Sequence, residues 1–188
     1  MSGYLEVTFG PMFSGKTTSL IHKANTFIKT KLVQNKEIKV LIINHKDDVR
    51  ETETEDGLTP HIESKIIDCD KISMKVKTLS DIDVSLYNYI LVDESQFFED
   101  LVISVMSWLS QGKHVHCCGL LTDSNRHIFG DLHELIPRAD NVEQLKALCF
   151  YCGDKTPNAP FTKCITKKEK QRLIGGNGDY IPVCGKHF

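Results

Sequence analysis

The chain has 188 residues, of which 40% are hydrophobic and 26% charged, a composition typical of a medium-sized globular protein with a sizeable core. Its formal net charge of −2 provides no global positive field and therefore disfavours a nucleic-acid-binding protein. The longest apolar run, "LVISVMSWL", is too short to span a bilayer, and the start lacks the pattern of a secretory signal. We therefore expect a cytoplasmic protein that binds no membrane.

Short apolar runs alternate with longer amphipathic stretches over roughly the first 120 residues, which the pattern divides into strands and helices. This alternation indicates an α/β protein with a parallel sheet covered by helices on both faces. The charged segment 47–63 is expected to be a surface loop. The predicted elements are strands at 4–9, 38–45, 63–69, 87–94 and 114–121, and helices at 16–34 and 100–112, the second ended by Gly112.

The composition and the hydrophobic periodicity of the sequence change near residue 148. From Cys149 onward the helical periodicity weakens, Pro and Gly residues gather, and Cys and His residues cluster. We therefore expect an α/β domain over residues 1–148 and a small second domain over residues 149–188.

Seven cysteines in a chain without an export signal argue against a disulfide scaffold, because reducing compartments keep thiols free. Cys149 and Cys152 form one closely spaced pair, and Cys184 and His187 form another. Four such ligands predict a closed structural Zn²⁺ site, although a C-x-x-C pair alone also suits redox chemistry. Cys164 breaks the spacing and is not a predicted ligand. The cysteines expected to be apolar fillers are Cys69, Cys117 and Cys118.

The loop at residues 10–17, called the glycine loop below, joins the first predicted strand to the first predicted helix. It satisfies G-x-x-x-x-G-K-[ST], in which glycines permit tight turns and backbone N–H groups surround anionic oxygens. Lys16 would bring a positive charge to the β- and γ-phosphates, and Thr17 a hydroxyl to Mg²⁺. The expected nucleotide-binding residues here are Gly10, Pro11, Met12, Phe13, Ser14, Gly15, Lys16, Thr17 and Thr18.

Two adjacent carboxylates end the predicted central strand, at the edge where an α/β sheet presents ligands. We expect Asp93 to hold Mg²⁺ or its water molecules. Because neighbouring side chains of a strand point to opposite faces, Glu94 is expected to reach another substrate as a general base. Motors, GTPases and small-molecule kinases share such a loop and carboxylates, so these residues indicate nucleotide use and leave the reaction open.

Several segments narrow the choice, because they resemble the type II, cytosolic thymidine kinase family. "DESQFF" (93–98) resembles its D-E-x-Q-F-F segment, and "GPMFSGKTT" (10–18) its phosphate-binding loop. "KDDVR" (46–50) is similar to its K-x-D-x-R and "GLLTD" (119–123) to its G-L-x-x-D. "IGGNGDYIPVCGKH" (174–187) resembles its closing I-G-G-x-x-x-Y-x-x-V-C-x-x-H. The matches follow the family order along the chain.

The resemblance implies transfer of the γ-phosphoryl group of ATP to the 5′-hydroxyl of thymidine. It implies that Glu94 accepts the hydroxyl proton and that Arg50 supplies a second cation beside Lys16. Asp48 would orient the metal or Arg50, and Gln96 is assigned to the nucleotide side. The resemblance also implies a homotetramer and feedback inhibition by dTTP.

The nucleoside side of the site is likewise assigned by the resemblance. Phe97 would pack against the thymine ring, Tyr180 would lie near the nucleoside, and the backbone of 173–179 would bind the base edge. Ser124 departs from the family, which carries Phe there, so the preferred base stays open between thymidine and another nucleoside. The residues assigned to the nucleoside are Phe97, Leu120, Ser124, Phe129, Leu173, Ile174, Gly175, Gly176 and Tyr180.

Two other classes of protein compete with the kinase. One is an ATPase with a zinc-containing nucleic-acid-binding module, and the other is a regulatory nucleotide switch. The near-neutral charge and the lack of a Lys/Arg stripe beside aromatic residues disfavour the ATPase. The basic cluster "TKKEKQR" (166–172) is interpreted as a solvated face, and no GTP base-reading signature is evident in the sequence.

Overall fold

The computed structural model describes residues 3–46, 65–67, 69–153, 158–166 and 179–188. The predicted loop 47–63 and most of the basic cluster 166–172 lie outside these residues. The strands are β1 (Tyr4–Phe9), β2 (Lys39–His45), β3 (Asp70–Val76), β4 (Tyr89–Val92), β5 (His114–Gly119), β6 (Asn141–Gln144), β7 (Phe161–Cys164) and β8 (Tyr180–Val183). The α-helices are α1 (Lys16–Val33), α2 (Leu101–Ser110) and α3 (Leu132–Leu135), with 3₁₀ turns at Ser95–Phe97 and Ile136–Arg138.

Six strands form one parallel sheet in the order β3-β2-β4-β5-β1-β6. The α/β fold expected from the sequence is therefore confirmed. Strands β2, β4 and β5 are buried along nearly their whole length, which explains their continuous apolar sequences. The remaining two strands, β7 and β8, pair in antiparallel fashion and are called the ribbon below.

Apolar side chains project from both faces of the sheet, and on each face they pack against a helix. The face toward α2 carries the larger cluster, and the opposite face packs on α1. Helix α1 buries Leu20, Ala24 and Ile28, which recur every four residues and so form one stripe. Cys117 and Cys118 are fully buried on opposite faces, as expected for apolar fillers.

Helix α2 ends as its sequence predicts. Ser110 is its last residue, and Gly112 adopts φ 77° while its N–H donates to Leu109 O at 2.9 Å. A glycine tolerates this left-handed conformation, which closes the last helical turn.

The strand predicted at 63–69 is wrong over its described residues, because 65–67 and 69 lie outside any strand and β3 begins only at Asp70. Ile66 and Ile67 are apolar because they pack beneath α1, and Asn25 Oδ1 accepts the N–H of Ile67 at 2.8 Å. Among the described strands, β3 pairs with β2 alone and forms the sheet edge, and it carries Lys71 among its residues, so it lacks the apolar run of a central strand.

A separate small core lies beyond the main sheet. The ribbon packs around Ile181 and Val183, together with Ala147, Cys149 and Ala159. Its few members bury much less apolar area than the two faces of the main sheet, so it supplies correspondingly little stabilisation.

Candidate active site and metal centre

Four strands of the main sheet end at the same edge. Because the sheet is parallel, the carboxyl ends of β1, β2, β4 and β5 bring Phe9, His45, Val92 and Gly119 to one side. The segments that follow β1, β4 and β5 carry most of the residues that the sequence singles out. This edge is where open α/β sheets generally bind ligands.

The glycine loop leaves β1 and turns directly into α1. Gly15 has φ 80°, a left-handed conformation that strains other residues. Gly10 is required by space, since an added Cβ would lie 2.6 Å from Leu145 O and 2.7 Å from Ser14 Oγ. Phe13 also has a positive φ, 64°, and its ring is exposed at the loop. Glycine is therefore needed at position 15 for its backbone conformation and at position 10 for lack of space for a side chain.

Side chains of the glycine loop converge on one carbonyl. Pro11 O accepts hydrogen bonds from Ser14 Oγ at 2.9 Å and from Lys16 Nζ at 2.8 Å. Lys16 is buried, so its ammonium group is held over the loop rather than in solvent. Thr17 Oγ1 donates to Asp93 Oδ2 at 3.1 Å, which joins the start of α1 to the end of β4. Thr18 is exposed on the first turn of α1.

Asp93 and Glu94 are both buried, but the chain turns sharply between their side chains. Glu94 has φ 49° and ψ 43°, a left-handed conformation, and it precedes the 3₁₀ turn at Ser95–Phe97. The expectation that Glu94 continues the strand is therefore wrong, since β4 ends at Val92. Left-handed backbone at a non-glycine residue costs about 1–3 kcal/mol and is concentrated at functional sites.

Burial and the neighbouring charge of Glu94 raise the pKa of Asp93, although hydrogen bonds from Glu94 N and Thr17 oppose the shift. Two carboxylates in one buried place repel each other, so a cation beside them would be strongly favoured. The donor set of Asp93 and the Thr17 hydroxyl consists of hard oxygen atoms, which suits Mg²⁺.

Gln96 is buried beside this pair and bridges two segments. Its amide nitrogen donates to Glu94 Oε2, and its Oε1 accepts the N–H of Leu120 at 2.9 Å. A Cβ on Gly130 would lie 2.1 Å from Gln96 O, and one on Gly119 would lie 2.3 Å from Gln96 Oε1. The backbones of Gly130 and Gly119 therefore pack closely against Gln96, and this packing keeps its side-chain amide next to Glu94.

Two of the aromatic residues predicted for the nucleoside side, Phe97 and Phe129, lie in contact. The rings of Phe97 and Phe129 are 5.5 Å apart and nearly perpendicular, and Phe97 also lies 5.5 Å from the ring of His45. Leu120 and Ser124 are half-buried in the segment that leads from β5 to Phe129. His45 was not predicted, because a histidine at the end of a strand carries no distinguishing motif.

The ribbon reaches the glycine loop through a residue that the sequence did not indicate. Thr162, buried on β7, accepts the N–H of Met12 at 2.9 Å through its Oγ1. No local pattern could have found a contact across 150 residues of sequence. Tyr180 is half-buried on β8, opposite Cys164 across the ribbon.

Six predicted site residues lie outside the part of the chain that the structure describes, so their assignments stay predictions. They are Asp48, Arg50, Leu173, Ile174, Gly175 and Gly176.

The two short-spaced pairs near the ribbon form one cluster, called the cysteine–histidine cluster below. The ligand atoms of Cys149, Cys152, Cys184 and His187 all lie within 4.8 Å of one another. Cys152 Sγ is 3.8 Å from Cys184 Sγ, and His187 Nδ1 is 3.3–3.5 Å from the three sulfur atoms. Cys164 lies apart and donates its thiol to Thr166 O at 3.1 Å.

These distances fit a tetrahedral metal. Bonds of about 2.3 Å from Zn²⁺ to sulfur place two sulfur atoms about 3.8 Å apart at the tetrahedral angle. The N–H of Cys184 also donates to Cys149 Sγ at 3.4 Å, which favours a thiolate there. The cluster therefore fits Zn²⁺ with four protein ligands and no open position.

Helix α1 is tied to the sheet by charges that sequence analysis did not single out. Lys23 Nζ lies 3.6 Å from Glu6 Oε2 and 3.0 Å from Glu143 Oε2. Ser19 Oγ donates to Glu143 at 2.9 Å, and His114 Nε2 lies 2.9 Å from Glu6 Oε1. Burial disfavours charge on Glu6, but the hydrogen bonds with His114 and Asn141 and the nearby histidine charges together outweigh it, so the pKa of Glu6 falls to about 2.

His116 is fully buried beside this group. Its Nε2 lies 2.9 Å from Thr8 Oγ1, whereas its Nδ1 has no partner among the described residues. Protonation would bury a second N–H group without an acceptor. Burial lowers the pKa of His116 to about 4, and the charge of Glu6 opposes this only in part.

The parallel sheet, the glycine loop with its two carboxylates and the cysteine–histidine cluster together define a class: α/β proteins with a strand–glycine loop–helix junction and a Cys/His cluster that fits zinc. Within that class, the chain belongs to the thymidine kinase family, whose family model matches residues 3–188.

Three relatives show how far the similarity extends. The thymidine kinase of fowlpox virus (strain NVSL) is 33% identical, over 100% of this chain and 97% of its own length. That of Amsacta moorei entomopoxvirus is 36% identical over 96% of this chain and 94% of its own length. Thymidine kinase 1 of Dictyostelium discoideum is 34% identical over 98% of this chain and 77% of its own length.

Within the described residues, no helix is both long and apolar enough to cross a membrane.

Proposed function

We propose that this protein transfers the γ-phosphoryl group of ATP to the 5′-hydroxyl of thymidine, forming dTMP. The observation that carries the proposal is the junction of the glycine loop with the buried carboxylates. Thr17 contacts Asp93, and Glu94 is turned out of the strand beside it. Membership of the thymidine kinase family supplies the acceptor. A phosphate donor and an acceptor hydroxyl would thus meet at one edge of the sheet.

The glycine loop would bind the phosphates of ATP. Its backbone N–H groups at the start of α1 provide a preorganised positive field, and the polyanion would draw Lys16 Nζ away from Pro11 O. Phosphoryl transfer depends mainly on positioning and on stabilising the charge of the migrating group. Lys16 would supply that stabilisation, with Arg50 and Asp48 assigned supporting roles by the family resemblance.

Thr17 and Asp93 would hold Mg²⁺, which would neutralise phosphate charge when bound. The repulsion between Asp93 and Glu94 supports a cation there. Gln96 would act from the nucleotide side by keeping the Glu94 carboxylate in place, since it already donates to Glu94 and is anchored by Leu120 N.

Glu94 would be the general base. One of its Oε atoms would accept the proton of the 5′-hydroxyl, which makes the sugar oxygen a better nucleophile. That oxygen would bond to the γ-phosphorus of ATP while the bond from phosphorus to the β–γ bridging oxygen breaks and ADP leaves. The thymine ring would pack against Phe97, with Leu120, Phe129 and Tyr180 around it. Ser124 replaces an aromatic wall of the family with a hydroxyl, so a nucleoside with a different base is the second candidate substrate. Residues 173–176 would bind the base edge.

We further propose that residues 1–148 form the nucleotide-binding domain and residues 149–188 a zinc-binding domain. The separate small core around the ribbon and the geometry of the cysteine–histidine cluster support this division. Family membership supports a cytoplasmic homotetramer that dTTP inhibits.

Replacing Glu94 by Gln tests the mechanism. The variant should lower kcat for thymidine by about 10²–10⁴-fold, the usual contribution of a general base, and leave the Kd of ATP within about two-fold. Steady-state rates and ATP binding by calorimetry measure the two quantities. Glu99→Gln, at an exposed position on the same segment, is the matched control and should retain full activity. Near-complete activity of Glu94→Gln would remove Glu94 from the mechanism.

A further inference from the structure

Arg126, in the segment between β5 and α3, places its guanidinium against two aromatic rings near the ribbon. Its Cζ lies 3.9 Å from the ring centroid of Phe161 and 3.7 Å from that of Phe188. The two rings are 5.8 Å apart and inclined by 73°. A planar, delocalised cation is attracted to aromatic faces, and Arg satisfies this geometry better than Lys. The contact joins the 120–130 segment to the C-terminal part of the chain.

The turn that carries Arg126 is fixed by its own hydrogen bonds. Asp123 Oδ1 accepts the N–H groups of Asn125 at 2.8 Å and His127 at 2.9 Å. The N–H of Asp123 donates to His127 O at 2.9 Å. Arg126 itself has φ 66°, a conformation that a non-glycine residue adopts only when its surroundings impose it. The turn therefore presents the guanidinium from a preset backbone.

The aromatic partners are fixed equally well. Phe161 is the first residue of β7, and Phe188 directly follows the cluster residue His187. Lys163 Nζ donates to His187 O at 3.2 Å, which ties the segment around Phe188 to the ribbon. Next to Phe161, Thr162 accepts the N–H of Met12. The ribbon is thus attached to the 120–130 segment at one point and to the glycine loop at another.

We propose that Arg126 is a positioning residue that docks the ribbon against the nucleoside side of the site. It acts through Phe161 and Phe188 rather than on a reacting atom. Its own turn contains Ser124 and leads to Phe129, whereas the ribbon carries Tyr180. The stack therefore sets the distance between the two sides assigned to the nucleoside. The kinetic consequence rests on the proposed function, but the docking contact does not.

Arg126→Lys tests the docking, because it keeps the charge and loses the planar stack. We expect the KM for thymidine to rise about ten-fold, the size that two exposed cation–π contacts supply, while kcat and the KM for ATP change less than about two-fold. We also expect faster hydrogen exchange at the Met12 amide without any substrate, because a loosened ribbon would withdraw the Thr162 hydroxyl from the N–H of Met12. Phe188→Leu should reproduce both effects. Phe188→Tyr keeps the aromatic face and should therefore show the KM for thymidine and the Met12 exchange rate of the parent protein.

Two variants serve as matched controls. Arg138→Lys changes an exposed arginine in the 3₁₀ turn Ile136–Arg138, and Phe150→Leu changes an exposed aromatic residue next to Cys149 of the cysteine–histidine cluster. Both should behave as the parent protein. Equal changes in kcat and both KM values would indicate general damage and overturn the positioning role, as would faster exchange with an unchanged KM for thymidine. Unchanged exchange would overturn the docking itself. If no nucleoside were phosphorylated, the proposed function would fail, while exchange at Met12 would still test the docking.

Discussion

The glycine loop and the cysteine–histidine cluster are held in place by different kinds of interaction. The loop extends from a central strand of a six-stranded sheet, and its side chains close on Pro11 O through neutral and charged hydrogen bonds. The cluster lies in a small core around Ile181 and Val183, where four ligand atoms converge within 4.8 Å. Hydrogen bonds within the fold therefore organise the loop, whereas a bound ion would organise the region around the cluster.

The difference predicts that damage to the loop and damage to the cluster have separable consequences. A change in the loop should remove catalysis and leave the fold intact. A change in the cluster should loosen the ribbon first and affect catalysis through it.

Lys16→Met gives the largest expected effect on the loop side of this comparison. Loss of the ammonium charge should lower kcat by about 10²–10³-fold, the usual cost of removing one preorganised electrostatic group. The unfolding midpoint in urea should change little, because a buried amine is replaced by an apolar chain of similar length. Lys146→Met, at an exposed position, should leave both quantities unchanged. Retention of kcat in Lys16→Met would contradict the assigned role of the loop.

Cys184→Ser removes one ligand of the cysteine–histidine cluster and so tests the other region of the comparison. The Zn²⁺ affinity should fall by more than the roughly 10–100-fold that follows loss of an outer-shell partner, because a direct ligand is removed. Zinc content and hydrogen exchange over β7 and β8 measure the loss, and the main sheet should stay protected. Cys164→Ser, whose parent thiol lies apart from the cluster, is the control. Equal loss of protection in the main sheet would show that the two regions are one cooperative unit.

The pH dependence of stability tests the main sheet, from which the glycine loop extends, through His116, which is buried on the face toward α1. The folded pKa of His116, about 4, is below its unfolded value, so the unfolded chain binds more protons between about pH 4 and 6.5. The unfolding free energy should therefore fall as the pH drops through this window, by about 1.4 kcal/mol per unit for one proton.

Urea titrations at several pH values measure this slope, and His116→Gln should remove it while keeping a polar partner for Thr8. Glu6, with a pKa of about 2, adds a second loss below about pH 4.5 in both proteins. A parent slope equal to that of His116→Gln would mean that His116 titrates normally.

Ser124→Phe should have the smallest effect. A ring at this position would add apolar surface to the segment that leads to Phe129 and lower the KM for thymidine a few-fold, as expected from added apolar contact. Steady-state kinetics with thymidine and deoxyuridine give the ratio, with Ser124→Ala as the control for loss of the hydroxyl. An unchanged or raised KM for thymidine in Ser124→Phe would count against a role of this position in base preference.

The sequence predicted those parts of the molecule whose causes are local. The buried strands, α1 and the glycine loop follow from apolar periodicity and from the conformational needs of Gly10 and Gly15. The spacing of the cysteine–histidine cluster likewise anticipates the geometry found. Among the strands, the sequence misplaced β3, an edge strand with lysines that lacks the pattern of a central one, and it missed the short strands β6, β7 and β8.

The parts that escaped prediction depend on contacts between distant segments. The Thr162 contact with Met12 and the stacking of Arg126 bring together residues that no motif relates. The turn at Glu94 was missed because the apolar run before it reads as a strand that continues. Each of these features arises where strand ends and loops meet at the carboxyl edge of the sheet.

The most direct test of the central claim is to follow the γ-phosphoryl group itself. The protein is incubated with Mg²⁺, ATP labelled at the γ-phosphate and a panel of nucleosides, with and without single-stranded DNA. We predict that the label appears on the 5′-oxygen of thymidine or a close analogue, at a rate that DNA does not alter. Release of the label as inorganic phosphate alone, with every nucleoside unchanged, would contradict the account.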